Sequence, residues 1–223
     1  MTGPALDTCA VCGAPISPES YTKRVLVVTE GLADAEFLRK LVQYRGIADL
    51  QTTRPARGKD FRKKLEAMRA IVPDTATVLI VTDSDTSYAS TFRMIQDQIR
   101  SIGDYAVPPN PLVVARAKGV PSIAVLTLPW VDRDGSLETL LLDAMSETAA
   151  TVVAAVDGML QATVRRSRGI SKDSKARLAC TVACVCDDDP SCAVSTMWKA
   201  SRGFEELLGQ RHFDQIAGFL QTL

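Results

Sequence analysis

The sequence offers little for histidine chemistry. His212 is the single histidine among 223 residues. A serine–histidine triad needs a histidine base, and a multi-histidine zinc site needs several imidazoles, so neither kind of site fits this composition. No partner motif surrounds His212, and we interpret it as a surface or packing residue.

The sequence also lacks a net charge, a long apolar run and a secretion signal. Its 26 lysines and arginines balance 26 acidic residues, so no overall positive field marks a nucleic-acid binder, although an acidic site and a basic strip could cancel in the sum. No stretch reaches the roughly 18 apolar residues of a membrane span, and the first residues do not resemble a signal peptide. Six cysteines in such a chain indicate reduced thiols. We therefore expect a cytoplasmic protein that does not contact a membrane.

Strands and helices alternate in the first part of the chain. Apolar runs predict strands at 24–29, 47–53, 77–82 and 122–128, with helices at 32–44, 60–71 and 87–102 between them. Further on, the pattern predicts helices at 136–145, 149–163, 172–186, 193–201 and 212–223.

Continuous apolar strands are typical of a parallel sheet that is covered on both faces. We expect an α/β, Rossmann-like fold with a mostly parallel four-stranded sheet flanked by helices and a helical C-terminal portion. Its parts would be an irregular segment at 1–22, an α/β domain at 23–148, and a helical extension at 149–223 packed on that domain.

Acidic residues follow three of these strands. They are Glu30 after the first, Asp83 and Asp85 after the third, and Asp132, Asp134 and Glu138 after the fourth, while Asp34 follows Glu30 by four residues. Ligands of open parallel sheets lie beyond the carboxyl ends of the strands. Clustered carboxylates repel one another unless a cation or a shared proton relieves them, and Mg²⁺ prefers such oxygen ligands. The pattern predicts a metal site; the alternative is that Glu30 and Asp83 are helix caps and turn residues.

Two of these stretches resemble a known domain. Glu30-Gly31 after VLVV, with Asp34 downstream, and Asp83-Ser84-Asp85 after VLIV resemble the two signatures of the Toprim domain, which topoisomerases, primases and OLD-family nucleases share. Gly135-Ser136-Leu137-Glu138 resembles the OLD-like branch, and resembles even more a stand-alone family of uncharacterised prokaryotic Toprim proteins. The resemblance covers about residues 24–145.

The resemblance implies Mg²⁺-dependent chemistry, with Mn²⁺ as a substitute, on a phosphodiester of DNA or RNA. Glu30 would be the general acid/base or first metal ligand, and Asp83 and Asp85 the metal-binding pair. Asp34 and Glu138 would be the extra acids of a two-metal site. A role in phage defence would be consistent with the OLD resemblance.

Two motifs of related enzymes are missing. Arg57-Gly58-Lys59-Asp60 lacks the spacing of a phosphate-binding ATPase loop, so an ATPase would have to come from a partner protein. The four tyrosines are spread along the chain, and none lies in a recognisable topoisomerase module. We therefore do not expect strand cleavage through a covalent tyrosine intermediate.

Basic residues are concentrated after the second strand and near residue 170. The first group is Arg54, Arg57, Lys59, Arg62, Lys63, Lys64 and Arg69, and the second is Arg165, Arg166, Arg168, Lys172 and Lys175. Phosphate contacts by Arg57 and Lys59 would position a nucleic-acid strand without reading its bases. For residues 62–69 the alternative is a solvated helix face. Lys118 and Lys175 are candidates for stabilising a transition state, and Lys59 and Lys175 are candidate catalytic residues.

The cysteines suggest a second metal without completing its site. Cys9-x-x-Cys12 resembles half of a zinc ribbon, but a structural Zn²⁺ needs four ligands and no second CxxC follows. Cys180, Cys184 and Cys186 fall on one predicted helix, where cysteine often serves as a small apolar residue. Zn²⁺ at Cys9 and Cys12 therefore stays open as an alternative.

Three functions are compatible with the sequence. The first is a metal-dependent Toprim nuclease; the second is a non-catalytic Toprim module that binds nucleic acid or a nucleotide and regulates a partner; the third is a small-molecule phosphate hydrolase. A binding module has no need for Glu30 in addition to Asp83 and Asp85, which favours the enzyme. The oligomeric state stays open, a homodimer included.

Overall fold

A computed structural model describes residues 23–56, 58–163 and 170–223. The predictions for the segment at 1–22, including Zn²⁺ at Cys9 and Cys12, lie outside these residues. So do Arg57 and three residues of the second basic group, which are Arg165, Arg166 and Arg168.

The sheet has four parallel strands. They are β1 (Val25–Thr29), β2 (Leu50–Thr52), β3 (Thr77–Asp83) and β4 (Ser122–Leu128), in the order β2-β1-β3-β4. The predicted α/β class is confirmed, although the second strand is shorter than expected. From β1 the chain first adds β2 on one side and then β3 on the other, so the strand order reverses between β1 and β3. This switch point is where ligands of such sheets bind.

Seven of the eight predicted helices are present within the described ranges, with ends shifted by a few residues. They are α1 (Leu32–Tyr44), α2 (Arg62–Ile71), α3 (Tyr88–Ile102), α4 (Leu137–Thr148), α5 (Ala150–Ala162), α6 (Ile170–Val185) and α7 (Asp214–Thr222).

The helix predicted at 193–201 is wrong. That segment forms short 3₁₀ turns at Val194–Thr196 and Ala200–Arg202. The Thr196 hydroxyl donates to the Ala193 carbonyl, and the Arg202 guanidinium donates to both oxygens of Thr196 at 2.8–2.9 Å. These bonds occupy backbone acceptors that a continuous α-helix would use, which is the usual reason that threonine and serine favour turns.

Alternate residues of each strand enter two apolar layers. Val25 and Val27 pack with α1, α4 and the C-terminal elements, whereas Leu26 and Val28 pack with α2 and α3. Both faces of the sheet are therefore covered, as its continuous apolar strands require.

The C-terminal portion shares the first of these layers. α5 and α6 pack against α4, and the rings of Trp198 and Phe213 lie with centroids 6.0 and 5.5 Å from that of Phe37 in α1. This packing brings α6 beside the carboxyl edge of the sheet. No helix in the described ranges is long and apolar enough to cross a bilayer.

Gly135 sets the turn that leads from β4 into α4, and we expect Gly135→Ala to destabilise the protein. Its φ is +131°, and an added Cβ would lie 2.7 Å from the Thr139 hydroxyl oxygen. The expected loss is about 1–3 kcal/mol in the free energy of unfolding, measured by urea denaturation.

Gly158→Ala is the matched control. Gly158 lies inside α5 with open space around its Cα, so alanine there should stabilise the helix by about 0.5–1 kcal/mol. Equal effects of the two substitutions would contradict the assigned turn.

Candidate active site

Glu30 follows the last residue of β1 at the switch point, and its side chain reaches the end of β3. Its backbone N–H donates to the Val81 carbonyl at 3.1 Å, which extends the strand pairing by one residue. Its carboxylate accepts a 2.8 Å hydrogen bond from the Thr82 hydroxyl. The side chain is therefore held between the ends of β1 and β3 while keeping a quarter of its surface in solvent.

Asp34 lies in the first turn of α1 and is buried. Its carboxylate accepts the Gly31 N–H at 2.9 Å, which forms part of a capping box at the start of the helix. A cap alone would lower its pKa. Burial, together with the charges of Glu30 and Glu138, instead raises the pKa of Asp34 from 3.8 to about 7.

Asp83 ends β3 and points at the start of α4. Its carboxylate accepts the Leu137 N–H at 2.9 Å, at the amino end of the helix, where the dipole favours an acid. Burial raises the pKa of Asp83 well above its ordinary value, and Asp34, Glu138 and Glu30 raise it further. Asp83 is therefore a buried carboxyl group with three acidic neighbours.

Asp85 and Glu138 complete the predicted acids. Asp85 has a left-handed φ of +51° and exchanges two backbone hydrogen bonds with Gly135, at 2.6 and 2.8 Å. This pairing fastens the turn after β4 to the end of β3. Glu138, in the first turn of α4, is buried and accepts the Ser136 hydroxyl at 2.7 Å.

The structure thus brings acids from β1, α1, β3 and α4 to one edge of the sheet. Four of them, Glu30, Asp34, Asp83 and Glu138, lie close enough for their charges to raise the pKa values of Asp34 and Asp83. Within the described ranges, no three acidic, histidine or cysteine side chains already form a ligand set for a metal ion. The carboxylates have the chemistry that Mg²⁺ prefers, but some side chains would have to move to bind it.

Lys59 lies among these acids. Its ammonium is 2.6 Å from the Asp85 carboxylate, 2.7 Å from the Asp83 carbonyl and 3.9 Å from the Glu30 carboxylate. Gln98 of α3 fixes the loop that carries it, because the Gln98 amide donates to the Lys59 carbonyl at 2.7 Å and accepts the Phe61 N–H at 2.7 Å.

Lys175 approaches the acids from α6. Burial lowers its pKa, but the charges of Glu138, Asp83, Asp85 and Glu30 outweigh this effect and leave the pKa raised. A 3.0 Å hydrogen bond between the hydroxyls of Thr139 and Ser174 joins α4 to α6 one residue before Lys175. The helical C-terminal portion therefore contributes a cation to the site.

Other predicted basic residues lie elsewhere. Lys118 is exposed before β4, at the opposite end of the sheet, so its suggested role in stabilising a transition state is not compatible with this structure. Arg62 pairs with Glu66 at 3.8 Å, and Arg69 pairs with Asp104, as a solvated helix face would. An open groove of about 800 Å³ begins at Lys59, and Arg62, Ser90, Arg93 and Gln98 are among its lining residues.

The residues that hold the acids were not identified from the sequence. Thr82 and Ser136 each precede a site acid by one or two residues, a weak signal that could have pointed to their hydroxyls. No sequence signal could have found Gln98, because it lies 39 residues from the backbone that it anchors.

Known proteins resemble the chain at low identity. The solved C-terminal region of the OLD protein of Xanthomonas campestris pv. campestris is 12% identical, with 90% of this chain and 96% of that chain covered and a TM-score of 0.41. The same region phased with platinum is 16% identical over 92% and 84% of the two chains, with a TM-score of 0.38. The C-terminal region of the Burkholderia pseudomallei OLD protein is 14% identical, with 90% of this chain and 86% of that chain covered and a TM-score of 0.36.

No curated protein matches the chain. The model of a family described as "Protein of unknown function (DUF3226)" matches residues 23–206, and that description does not mention Toprim. Since the match spans most of the 223 residues, this chain belongs to the DUF3226 family.

Proposed function

We propose that this protein is a Mg²⁺-dependent nuclease of the Toprim type, or a related enzyme that processes phosphodiesters in DNA or RNA. The observation that carries the proposal is the convergence of buried acids and two lysines at the switch point of the sheet. Burial of like charges together lowers the stability of a protein, and packing by itself does not require it. Strongly raised pKa values in a cleft are typical of functional sites.

The acids suit a hard divalent cation. Glu30, Asp83 and Asp85 would hold it, and Asp34 and Glu138 would complete a second position. A bound Mg²⁺ or Mn²⁺ supplies a Lewis acid for a phosphoryl oxygen and lowers the pKa of a coordinated water.

Glu30 and Lys175 would carry out the proton transfer and the charge stabilisation of the reaction. Glu30 is oriented by Thr82 and reaches solvent, which suits it to accept a proton from an attacking water. Lys175 carries a positive charge beside the acids, where it would stabilise charge that develops on phosphate oxygens.

The groove beside Lys59 provides a path for the rest of the substrate. Arg62 and Arg93 line it and would contact backbone phosphates, which positions a strand without specifying a sequence. In this proposal residues 23–148 form the catalytic domain, α6 supplies Lys175 to it, and a separate ATPase acts as a partner.

The direct test is cleavage of labelled single- and double-stranded DNA and RNA with Mg²⁺ or Mn²⁺. We expect metal-dependent cleavage by the parent protein and a loss on the order of 10²–10³-fold in Asp83→Asn/Asp85→Asn. The variant retains polar side chains of the same shape, so the helix and turn contacts of these residues can persist.

Asp74→Asn is the control for this experiment. Asp74 is exposed in the turn before β3, at the far end of the sheet from the acids, and its removal should leave cleavage unchanged. Cleavage that persists in the double variant would exclude these acids as the active site. If the parent cuts none of these nucleic acids and binds neither cation, the proposed enzyme is wrong.

Asp34→Asn should stabilise the metal-free protein at alkaline pH. Because the pKa of Asp34 is raised from 3.8 to about 7 on folding, its contribution to stability is fully present below pH 3.8 and is lost as pH rises through about 7. Asparagine keeps the bond to Gly31 without this loss. We expect Tm in EDTA at pH 8 to rise by about 4–8 °C, because the variant avoids about 2 kcal/mol of desolvation and charge repulsion. The difference should be much smaller near pH 4.

The same melting curves recorded with Mg²⁺ test whether the Asp34 carboxylate binds a metal ion. Mg²⁺ should raise Tm of the parent at pH 8 and raise it less in Asp34→Asn, because a carboxylate ligand is lost. A variant that is no more stable than the parent at pH 8 would contradict the assigned charge cluster.

Lys175→Gln should separate chemistry from metal binding. We expect cleavage to fall about 10–100-fold while Mg²⁺ still raises Tm as in the parent, because Lys175 is proposed to act on phosphate charge. Lys172→Gln removes the same charge from an exposed position three residues earlier on α6 and should have no comparable effect. Equal losses in both variants would assign the effect to general electrostatics.

A further inference from the structure

Lys59 lies where the proposed site needs a cation. Its ammonium contacts the Asp85 carboxylate at 2.6 Å and the Asp83 carbonyl at 2.7 Å, with the Glu30 carboxylate at 3.9 Å. These three residues come from the ends of two neighbouring strands, β1 and β3. The lysine therefore supplies the positive charge that holds this part of the acidic cluster together.

The backbone of Lys59 is fixed, whereas its side chain can leave. Gln98 binds the backbone on both sides of Asp60, from the Lys59 carbonyl to the Phe61 N–H. The lysine side chain has four rotatable bonds and lines the groove that also includes Arg62 and Arg93. A rotamer change would carry the ammonium from the acids into this groove without moving the loop.

A divalent cation and the ammonium would share the same oxygens. Glu30 and Asp85 are both proposed metal ligands, and both lie within 4 Å of the Lys59 nitrogen. Two cations held by one pair of carboxylates would repel strongly at such a short separation. Binding of one therefore opposes binding of the other.

We propose that Lys59 is an internal competitor of the divalent cation: its ammonium neutralises Glu30 and Asp85 in the metal-free protein, and metal binding displaces it into the groove. This inference rests on the proposed metal site and adds a regulation of that site. Displacement would place the lysine beside Arg62, where it can meet a phosphate, so metal and phosphate binding would favour each other.

The first test is a calorimetric titration of the full chain with Mg²⁺ and Mn²⁺. Lys59→Gln should bind the cation about tenfold more tightly than the parent, because the competitor is gone. Lys59→Arg keeps a cation on the loop and should remain near the parent value. Lys63→Gln, an exposed neighbour on α2, controls for the lost charge and should also remain near it.

The second test uses the parent protein and needs no variant to fold. Brief treatment with an acetylating reagent, followed by mass spectrometry of peptides, reports the accessibility of each lysine amine. Saturating Mg²⁺ should increase acetylation of Lys59 several-fold relative to Lys63. Unchanged relative acetylation of Lys59 at a metal concentration that saturates the calorimetric signal would overturn the displacement.

The outcomes distinguish this inference from the proposed function. If neither the parent nor Lys59→Gln binds Mg²⁺ or Mn²⁺, the metal site is wrong and the competition falls with it. If both bind with the same Kd, the metal site stands and the role of Lys59 as a competitor is excluded. Tighter binding in Lys59→Gln than in Lys63→Gln supports the exchange.

Discussion

Burial of several carboxyl groups next to one another at the carboxyl edge of the sheet is the constraint to which the rest of the structure responds. Asp34, Asp83 and Glu138 are buried there beside Glu30, and burial together with the neighbouring charges raises the pKa values of Asp34 and Asp83. Such an arrangement lowers the stability of the metal-free protein around neutral pH. Proteins retain costly groups of this kind mainly where function uses them.

The surrounding contacts compensate this repulsion in part. Backbone N–H groups of Gly31 and Leu137 bind two of the carboxylates, and hydroxyls of Thr82 and Ser136 bind the other two. Lysines from the loop before α2 and from α6 add positive charge. A net charge of zero for the whole chain thus conceals a strong local separation of charge.

The same contacts explain why the C-terminal portion belongs with the sheet. α6 contributes Lys175 and is joined to α4 through Ser174, while Trp198 and Phe213 complete the apolar layer over α1. Removal of these elements would expose one face of the sheet and take a cation from its edge. Fold and proposed chemistry therefore share the same helices.

The sequence by itself determined the α/β class, the four strands and the acids at their carboxyl ends. Apolar runs and periodic helices are local patterns, and parallel strands with covered faces follow from them. Local patterns failed at 193–201, where bonds from Arg202 to Thr196 favour 3₁₀ turns over an α-helix.

Only the tertiary structure decided which groups meet. Lys59 reaches Asp85 across 26 residues and Leu137 reaches Asp83 across 54, distances over which no spacing rule applies. The same is true of the raised pKa values of Asp34 and Asp83, since their burial and the approach of Glu138 arise only when the chain folds. The sequence specifies which residues are acidic, but the pKa values of Asp34 and Asp83 depend on burial and on neighbours that come together only in the folded protein.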